Sequence, residues 1–136
     1  MSQHKCKYAM VQCIDFRFRE ETERFATKLF GTADYDLYSW PGSAKKIADD
    51  AIREITLAQL AVCADLHSAE KIVLVSHTDC GAYGGKDAFD NVEAERQKLT
   101  DDLHKAKDYI KKSFPSVEVE LYLLDTYRGN SFDKID

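Results

Sequence analysis

No apolar run in this sequence approaches the roughly 18 to 20 residues that cross a membrane, so no membrane-embedded segment is expected. The opening MSQHKCKYAMVQC has neither the long apolar core nor the small-residue cleavage site of a secretory signal, and a cytoplasmic location is the simplest expectation. Basic charge is in short supply: 19 Lys and Arg against 24 Asp and Glu give a net charge of −5. Such a balance argues against a nucleic-acid partner, since phosphate binding wants a basic surface. Only two prolines interrupt the chain, and no repeat, low-complexity tract or linker divides it. One domain over residues 1–136 is therefore expected. Hydrophobic residues at 44% and charged residues at 32% are globular values, and a chain of this length buries a core without staples.

What the sequence does have is four cysteines, Cys6, Cys13, Cys63 and Cys80. In a reducing compartment they point to metal binding or catalysis rather than to disulfides. Cys63, within LAQLAVCADL, has the setting of a small core residue, and Cys6 lies in a polar N-terminal arm. His4 in that arm, His67 at a helix end, where a cation favours the dipole, and His104 in a charged helix are expected to be solvated. Cys13, Cys80 and His77 remain.

Four strands are expected: KYAMVQC (7–13), YDLYSW (35–40), KIVLVSH (71–77) and VEVELYLLD (117–125). Helical spacing separates them. Phe18, Thr22, Phe25, Ala26 and Leu29 share one face. Ala48, Ala51, Ile52, Ile55, Ala58 and Val62 share another, and Val92, Leu99, Leu103, Ala106 and Ile110 a third, with charged residues opposite and Pro115 as the stop. Strict alternation of strand and helix predicts an α/β fold of three layers. Its sheet is a short, mainly parallel one of four strands in the order 2-1-3-4. Ligands in such folds bind beyond the carboxyl ends of the strands, where the strand order reverses. The first and third strands flank that point.

The first strand runs into CIDFRFR (13–19) and the third into SHTDCGAYGG (76–85). If the two strands are neighbours, Cys13, His77 and Cys80 converge. Two thiolates and an imidazole suit Zn²⁺, and three protein ligands leave a fourth position open, as in catalytic sites. Gly81 allows a tight turn, and Gly84 and Gly85 a close approach of backbone to a ligand. Asp15 either ligates the metal or accepts a proton from metal-bound water, and Arg17 decides between these by holding the carboxylate away. Phe16 and Tyr83 are candidates to line an apolar pocket for a small neutral substrate. The blander alternatives are a loop salt bridge for Asp15 and Arg17 and a buried small residue for Cys13. Cys13 and Arg19 also fit the Cys-x5-Arg spacing of cysteine phosphatases. That chemistry needs a loop of inward-pointing N–H groups, and IDFRF has no glycine to form one.

C-x-D-x-R after a first strand and H-x-x-C-G after a third resemble the motifs of the β-class carbonic anhydrases, and LYLLDTYRGNSF is similar to that family's last strand and turn, with Asp125 and Gly129 matching. The resemblance runs in order along most of the chain. It implies one zinc per chain on Cys13, His77 and Cys80, with Asp15 and Arg17 as the family's catalytic dyad and Gly81 bordering the pocket. The implied reaction is reversible hydration of carbon dioxide to bicarbonate by zinc-bound hydroxide, and the implied assembly is a homodimer or higher homo-oligomer. Against the family's pattern the chain is short, and SWPGSAKK, with Gly42 as the one equivalent residue, replaces an Arg-Asn-Ala-Gly type segment. A non-catalytic zinc-binding or assembly protein of the same fold, or a hydrolase of a molecule resembling carbon dioxide, are the alternatives this leaves.

Overall fold

The computed structural model describes residues 4–136. Five strands form one sheet in the order β2-β1-β3-β4-β5. They are β1 (Tyr8–Gln12), β2 (Asp36–Ser39), β3 (Lys71–His77), β4 (Glu118–Asp125) and β5 (Ser131–Ile135). The first four run parallel in the expected order, and β5 returns antiparallel on β4. β5 is absent from the expected four strands because SFDKI is short and alternates only weakly. The turn before it is made by Asp125, whose carboxylate accepts from the Tyr127 N–H, and by Gly129 in the left-handed region at φ 66°. That tight reversal brings Ser131 opposite Asp125 and completes the antiparallel ladder.

Helices cover both faces of the sheet unequally. α2 (Lys45–Ala48), α3 (Arg53–Ala61) and α4 (Val92–Ser113) lie on one face, over Ala9, Val11, Ile72, Leu74, Val119 and Leu121. α1 (Arg19–Phe30) alone covers the other, packing Ala26 and Phe30 over Met10, Val73, Val75 and Leu124, with Phe25 stacked on Phe132. The alternation within each strand therefore feeds two separate cores.

The middle helix departs from its expected form. Ile47 and Ala48 are buried, but the backbone leaves helical geometry at Asp49, and α3 restarts with a different phase. Its inward residues are Arg53, Thr56, Leu57 and Leu60, followed by Cys63 in a π-helical turn over Val62–Leu66. Ala51, Ile52, Ile55, Ala58 and Val62, expected on a buried face, point outward instead; Ile55 is 68% exposed. Arg53 explains the break. Its buried guanidinium donates to the carbonyls of Ile47 and Ala48, closing the C-terminus of α2, and lies 3.6 Å from the Tyr109 ring centroid. His67 is also corrected: it is not solvated but sits with Nδ1 2.6 Å from the Asp36 carboxylate, joining the end of the π turn to the start of β2.

Candidate metal centre

β1 and β3 are hydrogen-bonded neighbours, and the order of connection reverses between them. Their carboxyl ends carry Cys13 and His77, and the loop after β3 returns Cys80 to the same place. The Cys13 Sγ, a ring nitrogen of His77 and the Cys80 Sγ lie within 4.8 Å of one another, a grouping able to hold a metal ion. Sulfurs bound tetrahedrally to one zinc at about 2.3 Å sit about 3.8 Å apart; here the two Sγ atoms are 3.9 Å apart. His77 Nδ1 lies 2.6 Å from the Thr78 carbonyl, so it carries a proton, and in the neutral imidazole Nε2 keeps its lone pair. Among the described residues, Nε2 is one of two buried side-chain polar atoms without a hydrogen-bond partner, the other being Ser76 Oγ. A buried imidazole nitrogen left unpaired beside two cysteine sulfurs is costly unless something electrophilic comes to it. The donor set fits a borderline-soft cation such as zinc.

The charges around the cluster are arranged accordingly. Cys13 is lowered to about 4, first because Cys80 donates to it; burial opposes this, and His77 and the backbone N–H groups of Gly42 and Asp15 add to the lowering. Cys80, as that donor and itself buried, is pushed up. Burial works to lower His77, yet the facing Cys13 thiolate and the Thr78 carbonyl outweigh it and the net direction is upward. Gly42 reaches Cys13 because it adopts φ 83°, and a Cβ there would stand 3.0 Å from Lys45 Cβ and 3.1 Å from Ala82 Cβ. SWPGSAKK thus supplies a thiolate donor, while Trp40 Nε1–H closes the segment on the Ser43 carbonyl.

Asp15 and Arg17 stand beside the cluster. The Asp15 carboxylate accepts from the Arg17 backbone N–H at 3.0 Å, from Nε at 3.0 Å and from Nη2 at 2.6 Å. These bonds hold its pKa below the usual carboxylate range. Its Oδ2 is 3.7 Å from His77 Nε2. An open cleft of about 500 Å³ adjoins the cluster, lined by Cys13, Asp15, Phe16, Arg17, Pro41 and Gly81 among others. Phe16 is 83% exposed at its edge. Tyr83 does not line it; its hydroxyl turns away to donate to Asp102 on α4. Gly81 opens a 3-10 turn over Gly81–Tyr83, while the left-handed backbone falls on Asp79, at φ 57°, and on Gly84 and Gly85. Arg19 is exposed at the start of α1, and Phe16–Phe18 form a 3-10 turn rather than a phosphate-cradling loop.

Three residues that pin the loop after β3 have no counterpart among the sequence expectations. Thr78 Oγ1 pairs with Thr126 Oγ1 at 2.6 Å and accepts from its backbone N–H. Asp79 binds Arg17 through Nη1 at 3.1 Å and, through its carbonyl, Nη2 at 3.0 Å. Glu95, on the helix face expected to be solvated, is only 2% exposed and accepts from the Asp79 N–H at 2.7 Å. A signal for it existed: Glu95, Leu99, Asp102, Leu103 and Ala106 keep helical register, so the carboxylate lies in phase with the apolar stripe.

The chain is similar to known proteins in sequence and in fold. An uncharacterized protein of Rickettsia bellii is 27% identical over 121 residues, covering 85% of this chain and 74% of that protein. One of Rickettsia conorii is 28% identical over 121 residues, covering 85% of this chain but only 65% of that protein, so the chain spans about two thirds of its length. The carbonic anhydrase of Glaciozyma antarctica superposes with a TM-score of 0.65 at 16% identity, over 99% of this chain and 85% of that one. A structure described as one of two tetrameric β-carbonic anhydrases of Sordaria macrospora gives 0.58 at 16%, over 97% and 81%. These two likenesses show a β-carbonic-anhydrase fold. The sequence model of the family described as "Putative carbonic anhydrase" matches residues 3–130, and a match over that span makes the chain a member of this carbonic anhydrase family.

Proposed function

We propose that the chain holds one zinc ion through Cys13 Sγ, His77 Nε2 and Cys80 Sγ and catalyses the reversible hydration of carbon dioxide to bicarbonate. The observation that carries this reading is the buried, unpartnered His77 Nε2 facing two cysteine sulfurs at zinc-compatible spacing. Zinc bound by three protein ligands supplies Lewis-acid activation of water near neutral pH. The chain's own residues supply the rest. Asp15 Oδ2 accepts the proton of the reacting water, and Arg17 keeps that carboxylate charged and oriented. Ile14, Phe16 and Pro41 give the cleft an apolar wall suited to a small, linear, uncharged molecule. Because the cleft is open, the proton on Asp15 passes to buffer without an internal relay.

The same reading includes a cytoplasmic homo-oligomer. The described residues include no helix long and apolar enough to cross a membrane. Ile55, Val62 and Leu66 are exposed on one outer surface, and the edge strand β2 exposes Leu37, the kind of apolar surface that a second copy covers. Metal analysis and stopped-flow hydration test the proposal together. Purified protein should carry about one zinc per chain, and Cys80→Ser should lose it. Zinc-loaded protein that hydrates carbon dioxide only at the uncatalysed rate would be a metal-binding relative and not an enzyme.

A further inference from the structure

Glu95 is a carboxylate buried within α4, and both of its oxygens are used. Oε2 accepts from the Asp79 N–H at 2.7 Å and Oε1 from the Tyr127 hydroxyl at 2.8 Å. Burying a carboxylate is tolerated only when its oxygens are satisfied in this way. The 22-residue helix that carries it is a rigid support for a neighbouring site. Asp79, the residue it grips, lies between His77 and Cys80 and adopts φ 57°, a left-handed backbone that non-glycine residues seldom enter.

Asp79 in turn fixes Arg17. Its Oδ1 accepts from the Lys86 N–H at 2.9 Å, while its Oδ2 and its carbonyl each accept from the Arg17 guanidinium. The other edge of that guanidinium, Nε and Nη2, holds Asp15. A planar fork bridging two acidic residues has one orientation that satisfies both. The Arg17 side chain is 42% exposed, so its packing alone does not fix it; the Asp79 end does. Asp15 Oδ2, only 3.7 Å from His77 Nε2, is close enough to join the ligand cluster when Arg17 lets go.

We propose that Glu95 is a positioning residue that, by clamping Asp79, keeps Arg17 on Asp15 and so holds the Asp15 carboxylate out of the fourth position of the metal. This rests on the assignment of Cys13, His77 and Cys80 as ligands. Glu95 touches neither substrate nor metal; it selects which of two arrangements of Asp15 prevails.

Cobalt(II) in place of zinc, with azide as the probe of the fourth position, tests this in the full chain by absorption spectroscopy. In Glu95→Ala, cobalt should bind with unchanged stoichiometry, and azide should bind about tenfold or more weakly, the equivalent of losing one hydrogen bond to a charged acceptor. Glu95→Gln keeps an acceptor for the Asp79 N–H and should bind azide as the wild type does. Tyr127→Phe removes the other partner of Glu95 and should leave azide affinity unchanged, which a merely structural role for Glu95 does not predict. Adding Asp15→Asn to Glu95→Ala should restore azide binding, because asparagine is a poor competitor for the metal. Wild-type azide affinity in Glu95→Ala, or a loss that Asp15→Asn does not repair, overturns the clamp. Should Glu95→Ala fail to fold, Asp79→Asn takes its place. Asparagine accepts the left-handed backbone yet loses the charge on Arg17, so the same azide loss is expected and wild-type affinity would refute the proposal. Absence of thiolate-to-cobalt charge transfer in the wild type would sink the ligand assignment itself, an outcome distinct from either.

Discussion

Asp15→Asn separates the chemistry assigned to the dyad from its part in stability. The substitution keeps the size of the side chain and its acceptor for the Arg17 backbone N–H, but removes the charge that holds the guanidinium through Nε and Nη2. Arg17 is partly exposed, so solvent screens the pair and the stability cost is about 1 kcal/mol. For a chain of this size that corresponds to a fall in Tm of about 3–4 °C. The catalytic cost is larger, because asparagine cannot take up a proton: a fall of about 10²-fold or more in kcat/KM is expected. Zinc content should not change. The pH dependence has a definite sign. Arg17 depresses the folded pKa of Asp15, so the stabilisation is present above the unfolded value of about 3.9 and is lost as pH falls through the folded value. Wild type and variant should therefore converge in stability in acid. Stopped-flow hydration with a pH indicator, metal analysis and thermal scans at several pH values make the measurements. Unchanged turnover in a zinc-replete variant would refute the proton-accepting role. Loss of zinc would mean that Asp15 is itself a ligand.

Three further outcomes follow from the same geometry. Zinc uptake near pH 7 should release at least one proton per ion, because Cys80 is held as the protonated partner of Cys13 and ligation needs its thiolate; calorimetry in buffers of different ionisation enthalpy measures this, and a heat independent of buffer would contradict it. On α3, Leu60→Ala should cost about 2–4 kcal/mol in urea unfolding. Ile55→Glu should leave the circular dichroism unchanged and lower the mass toward that of a monomer. Unfolding by Ile55→Glu would mean that the outer face is buried after all, and an unchanged mass would place the subunit contact elsewhere.

Much of the site was legible because its candidate ligands sit at the ends of short, strongly apolar strands. KIVLV followed by H-x-x-C, and AMVQ followed by C-x-D-x-R, place their polar residues where a parallel sheet puts its binding end. The parallel sheet followed from the alternation of elements and the adjacency of β1 and β3 from the doubly wound pattern, and the three side chains of the candidate metal cluster from residue type and spacing. The phase of α3 was not legible, because a spacing argument carries one helix through Asp49, where the backbone departs from helical geometry and Arg53 caps α2. β5 was missed because its pairing depends on β4 rather than on its own pattern.

The sequence by itself determined which residue types reach the carboxyl ends of β1 and β3, since strand periodicity and chain order are local properties. Only the tertiary structure decided how they are held. Glu95 and Asp79 meet across 16 residues, and Arg17 and Asp79 across 62. No local pattern encodes those bonds. They exist because α4 packs beside the loop after β3, and because a buried carboxylate must find donors wherever the fold brings them.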